Sequence, residues 1–232
     1  MAWVKILKNA PYEVSEDIKL FKAVIGPNKE GVLDLQKVEE IDTKTHIKDE
    51  VYHLCRCGKS SDAPFCDGTH AITKFNGSLH ASKKPYKDRA YLQEGETIDL
   101  LDDERCAFAR FCHRRDGDVW TLVDYSSEND NKEEAIKGAK ACPAGRLMTI
   151  TKDTLEVLDT NYDKPVIIAV NDPLKGVSAG LFLRGPITLI DDDGIEYPNA
   201  NRKVLCRCGK STNKPFCDAT HVSMNYHEKR SK

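Results

Sequence analysis

Nearly the same sixteen-residue stretch occurs twice in this 232-residue chain, first as Cys55-Arg56-Cys57-Gly58-Lys59-Ser60-Ser61-Asp62-Ala63-Pro64-Phe65-Cys66-Asp67-Gly68-Thr69-His70 and again from Cys206 to His221. Cys206, Cys208, Cys217 and His221 keep the offsets of Cys55, Cys57, Cys66 and His70 without a slip. The arginine, the Gly-Lys-Ser, the Pro-Phe-Cys-Asp and the Thr-His are shared as well. Three thiolates and one imidazole in so short a span make a complete shell for a metal ion or a cluster, and two such shells are expected.

The remaining cysteines support a ligand role. All nine sort into three sets of three, Cys55/57/66, Cys106/112/142 and Cys206/208/217. An odd count leaves any all-disulfide scheme with an unpaired thiol, and two cysteines one residue apart are badly placed to bridge each other. The N-terminus shows no signal-like apolar run and nothing approaches a membrane span, so the expected location is the cytoplasm, where thiols stay reduced. Net charge is -2 with 31% charged residues, which supplies no field for nucleic acid or an anionic membrane. Basic pairs such as Lys83-Lys84, Arg114-Arg115 and Lys229-Arg230 read as solvated surface.

Both copies resemble the CDGSH iron-sulfur domain, the mitoNEET family, whose pattern C-x-C-x2-(S/T)-x3-P-x-C-D-G-(S/A/T)-H the first copy meets in full. The second departs once, with Ala219 in place of Gly. That departure suggests that the position needs no positive φ. The resemblance implies a 2Fe-2S cluster held by three Cys and one His in each copy, with the His on the solvent side. Single-motif relatives pair as dimers, so the duplication implies an intramolecular pseudo-dimer, and the absence of a visible anchor or transit peptide suggests a bacterial or archaeal relative. By ligand types alone, a structural zinc site fits Cys3His equally well. Ser60 and Ser61 are expected to offer hydroxyls to inorganic sulfide, and Asp67 to cap a short helix carrying His70.

The middle of the chain resembles divergent single-cluster ferredoxins, through Cys106-x5-Cys112 and a distant Cys142-Pro143 after a helix predicted from about Asn131 to Ala141. Three thiolates suit a 3Fe-4S cluster, or 4Fe-4S with a non-Cys ligand. The alternative is three buried cysteines used as small hydrophobes. His113 is a further candidate for the shell, while His46 and His53 fall outside the motifs and read as surface or packing residues. Val119-Trp120-Thr121-Leu122-Val123 reads as a strand.

Elsewhere short runs bounded by turns predict strands: Trp3 to Leu7, Tyr12 to Leu20, Phe21 to Ile25, Val51 to Leu54, Pro165 to Val170, and Leu181 to Ile190 meeting Ile195 to Tyr197 across Asp193-Gly194. Ala10 to Val14 is read as a weak counterpart of this last segment, extending the duplication. The tail from Ser223 to Lys232 reads as polar and frayed. The expected fold is α+β and mostly β: two β-rich cluster-binding units, 1–85 and 161–232, form the pseudo-dimer, with a small ferredoxin-like α+β insert at 86–160.

The expected function is electron transfer or iron-sulfur cluster transfer, with a redox partner or a cluster-acceptor protein, as a monomer. One His ligand should place the potential between plant-type centres near about -400 mV and two-His Rieske centres at about -150 to +300 mV, because imidazole replaces an anionic thiolate. The alternatives are a component of a redox enzyme using a middle cluster, and a zinc-binding interaction module. No Gly-rich phosphate loop and no G-x-S-x-G element argues for an enzyme.

Overall fold

The computed structural model describes residues 2–229. Among these, twelve strands form three sheets, with four α-helices. The first sheet joins β1 (Trp3–Ile6), β2 (Tyr12–Ser15) and β5 (Val51–Leu54) with β11 (Thr188–Ile190), in the order β11-β1-β2-β5. The second joins β9 (Val166–Asp172), β10 (Val177–Arg184) and β12 (Arg202–Leu205) with β3 (Lys19–Pro27) and β4 (Leu33–Ile41), in the order β12-β10-β9-β3-β4.

The two sheets repeat one plan. Tyr12 pairs with Leu54 as Leu181 pairs with Leu205, both antiparallel. The strand after each hairpin is exchanged: β3, which follows β2, runs parallel to β9, and β11, which follows β10, runs parallel to β1. The first sheet is therefore completed by one strand from the other half of the chain, β11, and the second by two, β3 and β4. Residues from β1, β2 and β5 (Val4, Ile6, Tyr12, Leu54) and from β9, β10 and β12 (Ile167, Ala169, Leu181, Leu205) share one core between the sheets. This is the pseudo-twofold dimer expected from the repeat, and the duplication does extend to β2.

Strands β9 and β10 of the second sheet are buried on both faces. Ile167, Leu181 and Leu183 face the inter-sheet core, while Ile168, Val170 and Phe182 face a second core built with the inserted block. The unbroken apolar run of Pro165 to Val170 is what a doubly covered strand requires. At roughly 1.5–3 kcal/mol per fully buried aliphatic side chain, the insert is bound to this sheet by a substantial hydrophobic contribution.

The insert itself is a three-stranded antiparallel sheet, β6 (Tyr91–Gln93), β7 (Ile98–Asp102) and β8 (Leu147–Thr151), with α2 (Val119–Asp124) and α3 (Asn131–Ala141). The helix α3 has the predicted bounds. The stretch read as a strand is instead α2: Asp118 accepts the Thr121 N–H at 3.0 Å as an N-cap, and the buried residues Val119, Leu122 and Val123 fall at helical spacing. Five residues with β-branched bias obeyed the cap and the core they meet. Tyr12 to Leu20 is likewise not one strand, since a turn at Glu16–Ile18 separates β2 from β3, and β3 runs on past Ile25 to Pro27.

The tail is tied down as far as it is described. Ser178 donates to the Tyr226 carbonyl at 2.7 Å and Arg207 pairs with Glu228, so the segment after Ser223 is not frayed there, and residues 230–232, with Arg230, lie outside the described residues. No described helix is long and apolar enough to cross a membrane.

Candidate cluster sites

In each copy a strand delivers the first cysteine and a one-turn helix delivers the histidine. Cys55 follows β5, and its N–H bonds the Pro64 carbonyl at 2.8 Å while the Cys66 N–H bonds the His53 carbonyl at 2.9 Å. Cys206 and Cys217 repeat this at the same distances, 2.8 Å to Pro215 and 2.9 Å to Val204. The loops are thereby folded back so that α1 (Thr69–Ile72) and α4 (Thr220–Ser223) bring the histidines to the thiols.

The four donors of each copy form two close pairs. Cys55 Sγ lies 3.7 Å from Cys57 Sγ, and Cys66 Sγ lies 3.3 Å from His70 Nδ1. In the second copy the separations are 3.6 Å for Cys206 and Cys208 and 3.3 Å for Cys217 and His221 Nδ1. No three donors of either quartet lie mutually within 4.8 Å; among the described residues only Asp191, Asp192 and Asp193 do so, in a turn where Asp191 bonds Lys83 and the N–H groups of Asp193 and Ile195.

Local electrostatics prepare one thiolate per copy. Its hydrogen bond from the Cys57 thiol, against the upward pull of burial and with help from the N–H groups of Ser60, Gly58 and Cys57, brings Cys55 down to about 6. The equivalent groups, Cys208 first and then Ser211, Gly209 and the Cys208 N–H, bring Cys206 down to about 6. Burial pushes Cys66 and Cys217 up, and it lowers His221 to about 4, which keeps that imidazole neutral with a lone pair free to bind a metal.

Several expectations for this loop are corrected. Ser60 Oγ donates to the Phe65 carbonyl at 2.7 Å and Ser61 Oγ to Asp67 at 2.7 Å, so both hydroxyls close the loop rather than face a cluster. The helix N-cap is Gly68, not Asp67, although Asp67 accepts the Thr69 N–H at 3.0 Å and the Ser61 N–H at 2.8 Å. The Ser61 hydrogen bonds hold the Asp67 carboxyl well below the usual range. Ala219, at the position of Gly68, has φ 68 against 85 for the glycine. The left-handed turn is therefore kept in both copies, and the alanine accepts its cost of roughly 1–2 kcal/mol.

The copies touch through their glycines. A Cβ on Gly58 would stand 2.5 Å from the Cys208 carbonyl oxygen, and one on Gly209 would stand 2.5 Å from that of Cys57. Tyr12 crosses the interface to donate to the Cys206 carbonyl at 2.8 Å. Nothing in the sequence marked Tyr12. Arg56 and Arg207 were marked by the repeat, and both are buried: Arg56 donates to the carbonyls of Leu7 and Gly77, Arg207 to those of Ala179 and Val170.

In the insert, Cys106, Cys112 and Cys142 line one pocket together with Trp120, Arg110 and Arg146. Phe108 N–H donates to Cys106 Sγ at 3.3 Å, and Cys142 lies within reach of the N–H groups of Arg146, Leu147 and Ala144. Burial pushes Cys112 up to about 12 and raises Cys142 as well. His113 is exposed and does not line this pocket. His46 stacks on Phe65 with ring centroids 3.5 Å apart, and His53 faces Glu13 at 3.5 Å; both pack at the edge of the first copy.

A family model described as an iron-binding zinc finger of CDGSH type matches residues 9–71 and again 180–222, and one described as a divergent 4Fe-4S mono-cluster matches residues 93–152. Neither the curated proteins nor the solved structures that were searched gave a match.

Proposed function

We propose that this chain, an iron-sulfur protein in which two CDGSH-type iron-binding regions flank a divergent 4Fe-4S mono-cluster region, holds one 2Fe-2S cluster in each CDGSH-type region and acts as an electron or cluster carrier. The ligand geometry carries this reading. A single tetrahedral zinc ion with bonds of about 2.3 Å needs all of its sulfurs mutually about 3.8 Å apart. Here Cys55 with Cys57, Cys66 with His70, Cys206 with Cys208 and Cys217 with His221 are that close, but no three donors of either quartet lie mutually within 4.8 Å. Two donor pairs suit two irons, one pair to each.

Bound there, a 2Fe-2S cluster with one His ligand supplies one-electron chemistry at a potential between those of all-thiolate and two-His centres. The chain's own groups do the rest. The N–H groups of Ser60 and Ser211 stabilise thiolate charge at Cys55 and Cys206, and the reciprocal glycine contact keeps the two ligand loops side by side. Because the second copy already occupies the face of the first, the chain works as a monomer, which sedimentation or size exclusion tests directly.

The three-cysteine pocket favours a third centre, of 3Fe-4S or 4Fe-4S type, over three inert thiols: its sulfurs face one space and receive backbone N–H groups, as cluster ligands do. The decisive measurement is iron and acid-labile sulfide on anaerobically purified protein, with EPR before and after dithionite. Two 2Fe-2S centres give about four irons per chain and signals only on reduction, and a third centre raises the count to about seven or eight. Zinc with no labile sulfide would overturn the reading.

A further inference from the structure

The two CDGSH-type sites have the same ligands and different surroundings. In the first, Cys66 and His70 are half-buried, α1 buries no residue, and its last residue, Ile72, is 84% exposed. In the second, Cys217 is 4% and His221 2% exposed. The packing of α4 on β10 and the inserted block together make the difference. The insert's Cys106 to Cys112 loop crosses the second site, where Arg110 holds Asp172 at the end of β9 through two hydrogen bonds, of 2.6 and 3.1 Å. Asp172 is 1% exposed, and both members of the pair are close enough to His221 to act on its charge.

The same loop is held under backbone strain, with Phe108 at φ 59 and Arg110 at φ 65, which a bulky residue adopts only where packing enforces it. Next to it, Arg105 lies 4.9 Å over the Phe216 ring, and Cys106 and Cys217 line a common pocket. In the first copy the matching ring, Phe65, is stacked by His46 rather than by a residue of the insert, and Cys66 and His70 stay half-buried.

We propose that the insert makes the two sites unequal in use: the second is a sealed centre retained by the Arg110–Asp172 clasp, and the first is the site that exchanges with an acceptor protein presenting thiolate ligands. This rests on each copy holding a 2Fe-2S cluster. Exchange begins at the half-buried Cys66 and His70 and ends at Cys55 and Cys57: each of the four bonds from iron to the chain breaks as a bond to an acceptor thiolate forms, with no change of oxidation state, so it needs a partner's approach to these atoms and no added reductant. Around His221 the clasp must first open.

The probe is EDTA at neutral pH on the full-length oxidised protein, which captures ferric ions as they leave. The readout is the 2Fe-2S EPR signal of dithionite-reduced aliquots, taken at a temperature where three- and four-iron signals are broadened. The expected result is loss in two equal phases at least about tenfold apart, the factor that a local opening of ~1.4 kcal/mol produces. Cys66→Ser should remove the fast phase and Cys217→Ser the slow one. Arg110→Ala, and Asp172→Asn from the opposite side of the clasp, should accelerate the slow phase toward the fast one and leave the fast one unchanged. A single phase in the unmodified protein, or a slow phase indifferent to both clasp variants, overturns the inference. Absence of any 2Fe-2S signal before EDTA is added instead overturns the function on which it rests.

Discussion

The backbone bonds of the ligand cysteines match between the two loops, 2.8 Å at Cys55 and Cys206 and 2.9 Å at Cys66 and Cys217, yet their buried arginines are satisfied in different ways. Arg56 sits between aromatic rings, 5.5 Å from the Tyr12 centroid and 5.4 Å from that of Phe75, and its Nε has no partner. Arg207 has a carboxylate, Glu228, besides its carbonyls. The position after each hairpin differs too: Tyr52 donates its hydroxyl to the Ile18 carbonyl at 2.8 Å, and in the second copy Lys203 donates its ammonium to the Ile187 carbonyl at 2.6 Å. Backbone and ligand geometry are symmetric, whereas the shell around them has diverged. A duplicated loop tolerates such drift because its cage of main-chain hydrogen bonds needs only the residues of the repeat.

The largest expected effect tests that divergence. Arg207→Ala leaves Glu228 and two carbonyls without their donor, and removing one partner of a buried ion pair costs about 3–5 kcal/mol. Arg56→Ala strands only carbonyls and cation–π contacts, so it should cost less, about 1–3 kcal/mol. Urea unfolding of both variants gives the difference, and equal losses would make the two shells energetically equivalent after all.

Next is a test of the symmetry. Gly58→Ala and Gly209→Ala each place a methyl 2.5 Å from a backbone oxygen at φ 72 and φ 76. Overpacking and left-handed strain together give a loss of about 2–4 kcal/mol for either one. The two losses should match, and iron per chain should fall in both. Gly68→Ala is the control: its Cβ meets nothing within 4 Å, and Ala219 already stands at the matching position, so the cost should be about 1–2 kcal/mol with iron retained. If one glycine accepted a methyl freely, the reciprocal contact would be broken as an idea.

The smallest effect is a pH dependence that the first copy lacks. Burial, with Arg105 adding to it, lowers Lys203 to about 8. Between pH 8 and its ordinary range the unfolded lysine binds a proton and the folded one does not, so stability rises with pH across that window. Relative to Lys203→Met, the unmodified protein should gain on the order of 2 kcal/mol between about pH 8 and pH 10. Chemical unfolding at several pH values measures it, and parallel curves for the two proteins would show that the ammonium is not desolvated.

Much of this protein could be read from its residues, for identifiable reasons. Ligand offsets in the two loops survive any fold, since a loop of sixteen residues can bring its own ends together locally. Helix α3 was legible from its length and its stop at Cys142-Pro143, and the doubly buried β9 from its unbroken apolar run. Local rules failed where a neighbour decided. Val119 to Val123 took the helix that Asp118 caps and the insert core accepts, and Ala219 took φ 68 because the His221 turn demands it.

The strand exchange of β3 and β11 had no sequence signal either, because parallel pairing between distant segments depends on how two similar surfaces meet. Burial belongs to the same class. By itself the sequence determined two equivalent ligand sets and a third group of cysteines between them. Only the tertiary structure decided that the insert packs on β9 and β10, covers His221 and leaves His70 half-open, since solvent access is set by what lies across the site, which can be more than a hundred residues away in the chain.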